Sequence, residues 1–303
     1  MNKLTILGTN SALPTSERFS SAQVLQLFER YFLIDCAEGT QMRLRQANIA
    51  FAKINTIFIS HLHSDHFLGI FGVLSTFSML GRKHALSIYA PAGLEEILTS
   101  PQAHYLVGEL QFKLNFHTLP NEDFAQIYDD KKMSVYAIHL NHRIDTWGFY
   151  FTEKPSINVK KEAIAQYNLS LDEIIAVKNG NDIHRSTGET IPNTELRATD
   201  KPLLSYAYIS DTAFFPQIAH YIKGVRLLYH EATFLHNMLP RAIETFHTTA
   251  RQAGEFARLA QAEQLLIGHF SARYKSTEEL EKEAQEVFAN TTATRDLGVY
   301  SLS

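Results

Sequence analysis

Six consecutive residues carry the strongest chemical signal in this chain: His61-Leu62-His63-Ser64-Asp65-His66. With 14 histidines among 303 residues, the pattern H-x-H-x-D-H arises by chance in roughly one such chain in a thousand. It follows a β-branched run at 54–60 and precedes an apolar stretch that begins at Phe67. Where a strand runs out, positions two apart project the same way, so His61 and His63 can grip one cation. Asp65 and His66, past the turn, can face a second cation beside it. Imidazole combined with carboxylate suits zinc, or less commonly manganese or iron.

These six residues cannot complete two coordination shells, so further ligands must come from elsewhere. The best candidates stand just past other strand-like runs: His142 after 135–139, Asp211 after 205–209, and His269 after 265–267. A carboxylate offers two oxygens, which makes Asp211 the natural shared ligand. His139 closes its own run and competes with His142. His247, at the mouth of a long helical stretch whose expected cap is Thr248, is a candidate general acid. Glu231, in His230-Glu231-Ala232-Thr233, is its candidate carboxylate partner. Cap and strand-end hydrogen bonding explains the same two residues equally well from spacing alone. His84, His104, His117, His184, His220 and His236 have no motif around them.

Strand and helix signals take turns along the chain, as they must to bring such distant residues together. Strands are expected at 4–7, 24–28, 31–35, 54–60, 86–90, 112–116, 135–139, 147–151, 205–209, 225–230 and 265–267, with a tight hairpin at Glu29-Arg30. Helices are expected at 67–80, 214–221, 248–262 and 277–288. The alternation argues for an α/β layered fold with buried sheets. Residues 152–201 break the rhythm with seven basic and eight acidic side chains. Short helices are expected there at 160–167 and 171–177, the second capped by Ser170. This reads as an insertion outside the core.

Composition narrows the field. Lys and Arg number 28 against 32 Asp and Glu, a net charge of −4, which argues against a general basic field for nucleic acid. The single cysteine, Cys36, excludes an intrachain disulfide and a Cys-rich zinc site. The longest apolar stretch, 67–80, falls short of the roughly 18 residues a membrane span needs. No segment reads as a signal peptide, so a cytoplasmic protein with no membrane association is expected.

The words around the histidines resemble a known family. His61-Leu62-His63-Ser64-Asp65-His66 looks like the signature of the metallo-β-lactamase fold. The flanking words narrow the resemblance to ribonuclease Z, the endonuclease that trims the 3′ end of precursor tRNA. They are Gly8-Thr9-Asn10-Ser11-Ala12-Leu13-Pro14-Thr15, Ile34-Asp35-Cys36-Ala37-Glu38-Gly39-Thr40-Gln41 and Asn141-His142-Arg143. Further on come Ser210-Asp211-Thr212, His230-Glu231-Ala232-Thr233-Phe234, His247-Thr248-Thr249 and Gly268-His269-Phe270-Ser271-Ala272-Arg273-Tyr274. They stand in the family's order across nearly the whole chain. This chain differs in carrying Ala37 and Ser64 where glycine is frequent.

The resemblance implies an αββα sandwich over 1–303, with two mixed β-sheets flanked by helices. It implies two Zn2+ per subunit, with Mn2+ as the alternative ion. His61, His63 and His142 would hold one, Asp65, His66 and His269 the other, with Asp211 bridging; His142 is thereby preferred to His139. It further implies a homodimer, and an inserted arm at 152–201 that grips precursor tRNA. The arm reads Ser170-Leu171-Asp172-Glu173-Ile174-Ile175-Ala176-Val177-Lys178-Asn179-Gly180 where relatives carry a Gly/Pro-rich stretch. The expected nucleophile is a hydroxide shared by the two zincs, with Asp65 as base and His247, tuned by Glu231, as acid. The tRNA would keep a 3′ hydroxyl and the trailer a 5′ phosphate. The alternative is a phosphodiesterase of the same fold acting on a small or cyclic nucleotide diester. The arm and the His-Glu-Ala-Thr and His-Thr-Thr words favour the ribonuclease.

Overall fold

Apolar residues two apart along a strand set the layers, because successive side chains point to opposite faces of a sheet. Along β1 (Lys3–Gly8), Leu4 and Ile6 enter one core while Leu7 enters another. The computed structural model describes residues 2–156, 158–198 and 202–302. β2 (Ala22–Leu27), β3 (Arg30–Cys36), β4 (Ile54–Phe58), β5 (Leu86–Ala90) and β6 (Leu114–Thr118) continue the first sheet in order. β7 (Phe124–Asp129), β8 (Met133–His139) and β9 (Trp147–Glu153) open the second. After an inserted pair, β10 (Ile183–His184) and β11 (Thr190–Ile191), it is completed by β12 (Ser205–Ile209), β13 (Leu227–Glu231), β14 (Gln264–Gly268) and β15 (Thr291–Ala293). β16 (Val299–Ser301) returns to pair antiparallel with β1.

Both sheets are mixed. β1, β2 and β3 are antiparallel neighbours, and β3 through β6 run parallel. In the second sheet β9 and β12 are antiparallel, while β12 through β15 run parallel. Ile6, Phe32 and Phe58 from the first sheet meet Phe149, Phe151 and Tyr208 from the second in one core. The outer face of the first sheet packs on Ile70, Val73, Leu74 and Phe77 of the helix Ile70–Met79. The outer face of the second packs on Ala253, Phe256 and Ala257 of the helix Ala250–Leu259. Helix, sheet, sheet, helix is the α/β sandwich expected from the sequence.

The chain divides into two compact units: residues up to Thr152 with those from Leu204 onward, and Glu153–Leu203. The second unit has its own small core of Ala163, Leu169, Val177, Ile183, Ile191 and Leu196. Its helix Leu171–Lys178 starts at Ser170, whose side chain accepts from the Glu173 N–H while Glu173 accepts from the Ser170 N–H. This reciprocal pair satisfies two otherwise unpaired donors at the helix start. Asp200 and Lys201, at the far boundary of the expected insertion, lie outside the described residues.

Several boundaries differ from expectation, each for a local reason. The β2–β3 turn is centred on Phe28-Glu29, both with positive φ (47° and 69°), one residue earlier than the expected Glu29-Arg30. That double left-handed turn matches the twist of a hairpin. The expected helix 67–80 is two helices, Ser64–Phe67 and Ile70–Met79. Between them the Gly69 N–H donates to Cys36 O at 2.8 Å. A Cβ at Gly69 would fall 1.8 Å from Ala37 O, so β3 presses its backbone into the break. The helix Ala250–Leu259 is capped by Thr249 with Gln252, not by Thr248, whose hydroxyl donates to Thr212 O. The segment near 214–221 is a 3₁₀ helix at Pro216–Ile222. Gly69→Ala should therefore destabilise the fold by more than about 2 kcal/mol, read as a lowered denaturant midpoint.

Candidate active site

β4 ends at Phe58, and the chain leaves the sheet in extended form until His63, which caps the short helix Ser64–Phe67. The loops after β8, β12 and β14 arrive at the same edge, bringing His142, Asp211 and His269. This is the carboxyl end of the parallel strands, where α/β sheets place their ligands. His61 Nε2 lies 3.0 Å from His63 Nδ1, which lies 3.3 Å from His142 Nε2. Asp211 Oδ2 is 3.7 Å from His61 Nε2 and 3.9 Å from His142 Nε2. Beside this group, His66 Nε2 is 3.3 Å from His269 Nε2, 3.5 Å from Asp65 Oδ2 and 3.4 Å from Asp211 Oδ1. His269 Nε2 stands 3.6 Å from Asp65 Oδ2 and 3.3 Å from Asp211 Oδ1.

These spacings fit a metal centre. An ion with ligand bonds of about 2.0–2.1 Å in a tetrahedron has ligand–ligand edges of about 3.3–3.4 Å. Both groups cluster around that value, and Asp211 turns one oxygen towards each. Asp211 Oδ1 is buried and has no hydrogen-bond partner, a costly state for a carboxylate oxygen unless a cation completes it.

The remaining ring nitrogens fix the tautomers. His61 Nδ1 is 2.9 Å from Ser60 Oγ, His66 Nδ1 2.7 Å from Asp35 Oδ2, His142 Nδ1 2.9 Å from Phe246 O, and His269 Nδ1 3.0 Å from Thr233 Oγ1. In each of these the Nδ1–H donates outward, leaving the Nε2 lone pair aimed at the centre. His63 alone turns Nδ1 inward. Asp35 is the hub behind this shell. It accepts from the Ser60 N–H at 2.8 Å, Ser60 Oγ at 2.9 Å and Tyr208 OH at 2.6 Å, as well as from His66.

The electrostatics point the same way. Burial holds the pKa of His61 well below the usual range, and burial lowers His63 and His142 too, so these rings are neutral, as ligands must be. His66 differs: burial works against its charge, yet Asp211, Asp65 and Asp35 raise its pKa well above normal, so with no ion bound a proton answers the excess negative charge that a cation would otherwise meet. Asp211, despite burial, is held well below the carboxylate range by His269 and His66. Among the described residues no Lys or Arg forms an ion pair with Asp35, Asp65 or Asp211, so this buried charge calls for a cation.

Next to the cluster stands a second device. Glu231, at the end of β13, is fully buried, and its Oε1 lies 2.8 Å from His247 Nδ1. It also accepts from the Thr212 N–H at 3.1 Å, and from the N–H (3.1 Å) and hydroxyl (2.6 Å) of Thr233. Burial opposes charge on His247, but Glu231 outweighs it and pushes the imidazole up to about 9. His247 Nε2 is thus the free end of a charged, oriented ring. A cleft of about 300 Å³ opens here, lined by Asp65, His142, Asp211, His247 and His269, with Ser11, Ala12 and Arg143 at its rim. The Ala12 N–H donates to Asp65 Oδ2 at 2.8 Å.

The nine preferred candidates therefore lie in one place: His61, His63, Asp65, His66, His142, Asp211, His269, His247 and Glu231. His139 does not; it packs edge-on against Trp147 with ring centroids 5.4 Å apart. His230 is buried against Phe256, its Nδ1 on Glu231 O. Sequence reasoning assigned no role to Asp35, Ser60, Thr233 or Tyr208. Asp35 had a signal, an acid inside the apolar run Tyr31-Phe32-Leu33-Ile34-Asp35-Cys36-Ala37, which a buried strand tolerates only when the charge is fully bonded.

Comparison with known proteins fits this geometry. Residues 2–158 match the family described as Anti-Pycsar protein Apyc1, a span that carries His61–His66 and His142 but stops before β12. A curated ribonuclease Z from Bacteroides fragilis is 45% identical over 295 residues, covering 97% of each chain. Among solved structures, human tRNase Z, short form, superposes with a TM-score of 0.73 at 26% identity over 99% of both chains. The metallo-β-lactamase-fold protein YhfI from Bacillus subtilis does so with a TM-score of 0.69 at 17% identity, over 99% of this chain and 98% of that one. Because the match to ribonuclease Z runs through both halves and through every loop that builds the cleft, the chain belongs to the ribonuclease Z family and has the metallo-β-lactamase fold.

Proposed function

We propose that this protein is a metal-dependent endoribonuclease that removes the 3′ trailer from precursor tRNA, working in the cytoplasm as a homodimer with two zinc ions per subunit. The observation that carries the reading is the shared cleft: a two-lobed ligand set and an oriented His247–Glu231 pair face the same space. His61, His63, His142 and Asp211 would hold one ion, and Asp65, His66, His269 and Asp211 the other. When bound, such ions supply a deprotonated water near neutral pH and offset charge growing on a phosphoryl group.

The chain's own residues do the rest. Asp65, anchored by the Ala12 N–H, orients the attacking water and accepts its proton. His247, held by Glu231, delivers a proton from Nε2 to the departing 3′ oxygen of the tRNA body. Breaking that P–O bond leaves a 3′ hydroxyl on the tRNA and a 5′ phosphate on the trailer. Residues 152–201 would serve as the tRNA-gripping arm of a single catalytic domain. With acids and bases nearly balanced there, shape and local patches rather than a broad positive field must do the gripping.

For the dimer, support comes from exposed apolar side chains on three helices that contact in series. Met42 lies on Thr40–Gln46, Met79 on Ile70–Met79, and Tyr105 and Leu106 on Pro101–Val107. Such a band marks an interaction surface. No described helix is long and apolar enough to cross a membrane.

A pre-tRNA with a 3′ trailer, its cleavage mapped to the nucleotide, tests the activity; failure to cut removes the reading. His247→Ala should keep the full metal content and lose cleavage by about 100-fold or more, whereas Asp65→Ala should lose metal and rate together. Asp35→Asn should weaken metal affinity by about 10- to 100-fold in chelator competition, because His66 loses its orienting carboxylate. The double variant Met79→Glu, Leu106→Glu should run as a monomer in light scattering while remaining folded.

A further inference from the structure

A second and larger cleft, of about 620 Å³, borders the metal-ligand loops. One wall takes Leu62, from between His61 and His63, together with Ile144 and Asp145, just past His142. The rest of the lining comes largely from the turns after β5 and β6, including Ala92 and Asn121. No lining residue comes from the loops that carry His247 or His269, and none is Lys or Arg. The volume suits a small-molecule-sized group. Its walls are mostly apolar, and its exposed polar side chains are those of Asp145, Asn121 and Thr118. A phosphate finds no positive partner there and one carboxylate to repel it. A nucleobase finds apolar surface for its faces, and an acceptor and an amide for its edge.

We propose that this cleft receives the base of the first trailer nucleotide, on the 3′ side of the phosphodiester that is cut. The inference rests on the ribonuclease reading above. His247 serves the departing 3′ oxygen, so the tRNA body leaves along the wall that carries His247. The phosphate stays with the trailer through its 5′ oxygen. The trailer's first base then lies towards the other wall, where Leu62 and Ile144 continue directly from His63 and Arg143.

The test uses pre-tRNA carrying an abasic residue at the first trailer position, beside one with the abasic residue at the last nucleotide of the tRNA body. The native protein should cut the first-trailer abasic substrate with kcat/KM lowered about tenfold, the scale of one lost base contact. Ala92→Trp, which fills the cleft without touching a ligand-bearing residue, should cut ordinary pre-tRNA about tenfold less well. It should show no further loss with the first-trailer abasic substrate, and its metal content should be native. Should that variant fold poorly, Asp145→Ala should raise KM for the base-bearing substrate while leaving the abasic one unchanged. A native protein that cuts pre-tRNA but ignores the first trailer base, or that responds only at the last tRNA nucleotide, overturns the subsite alone. A native protein that leaves pre-tRNA uncut overturns the ribonuclease reading and the subsite with it.

Discussion

A buried carboxylate without enough counter-charge costs several kcal/mol, and this protein gathers four carboxylates within one small region, of which Glu231 is matched by His247. Asp35 and Glu231 are fully buried, Asp211 nearly so, and Asp65 partly. Instead of Lys or Arg, their neighbours are histidines, the backbone and hydroxyls. Around Asp35, Asp65 and Asp211 the arrangement favours positive charge arriving from outside, and it fixes where that charge must sit. The outward-bonded Nδ1 atoms and the open Oδ1 of Asp211 answer that demand, and burial keeps His61, His63 and His142 neutral so that they can share in meeting it.

The same demand ties the two sheets together. Asp35 belongs to β3 of the first sheet, yet Tyr208 of β12 in the second donates to it at 2.6 Å. Ser210, just past β12, reaches Ser60, just past β4, at 3.0 Å. Thr233 then links Glu231 to His269, so the proton donor and a metal ligand share one support. Several of these residues or their partners carry backbone strain: Asp35, His269 and Phe246 all have positive φ, at 53°, 59° and 57°. Strain of this kind persists where surrounding bonds over-determine the geometry, which is the situation around this cleft.

The residues that touch the cleft were legible in the sequence because ligand chemistry restricts residue type, and because strand ends show as the limits of β-branched runs. The layer order was legible for a related reason, since alternation reports burial. What escaped depends on contacts between distant segments. The break at Gly69 is imposed by the carbonyl of Ala37, the residue just past β3. The strands Thr291–Ala293 and Val299–Ser301 are short and lie at sheet edges, so pairing rather than pattern creates them. Phe124–Asp129 has no clean alternation because it is half-exposed along most of its length. Thr248 and Thr249 compete for one cap, and the winner is decided by Thr212, thirty-six positions away. Asp35 acquires its role only when Tyr208 and His66 fold against it.

The scatter of the ligands along the chain has a consequence for biosynthesis. His61 through His66 and His142 emerge from the ribosome well before Asp211, and His269 follows later still. A nascent chain that has exposed β1 through β9 carries four of the five ligand histidines and Asp65 but lacks the bridging carboxylate and the ligand after β14. It also lacks His247 and Glu231. The full ligand set, with His247 and Glu231 beside it, therefore comes together only once β14 has been made and pairs with β13.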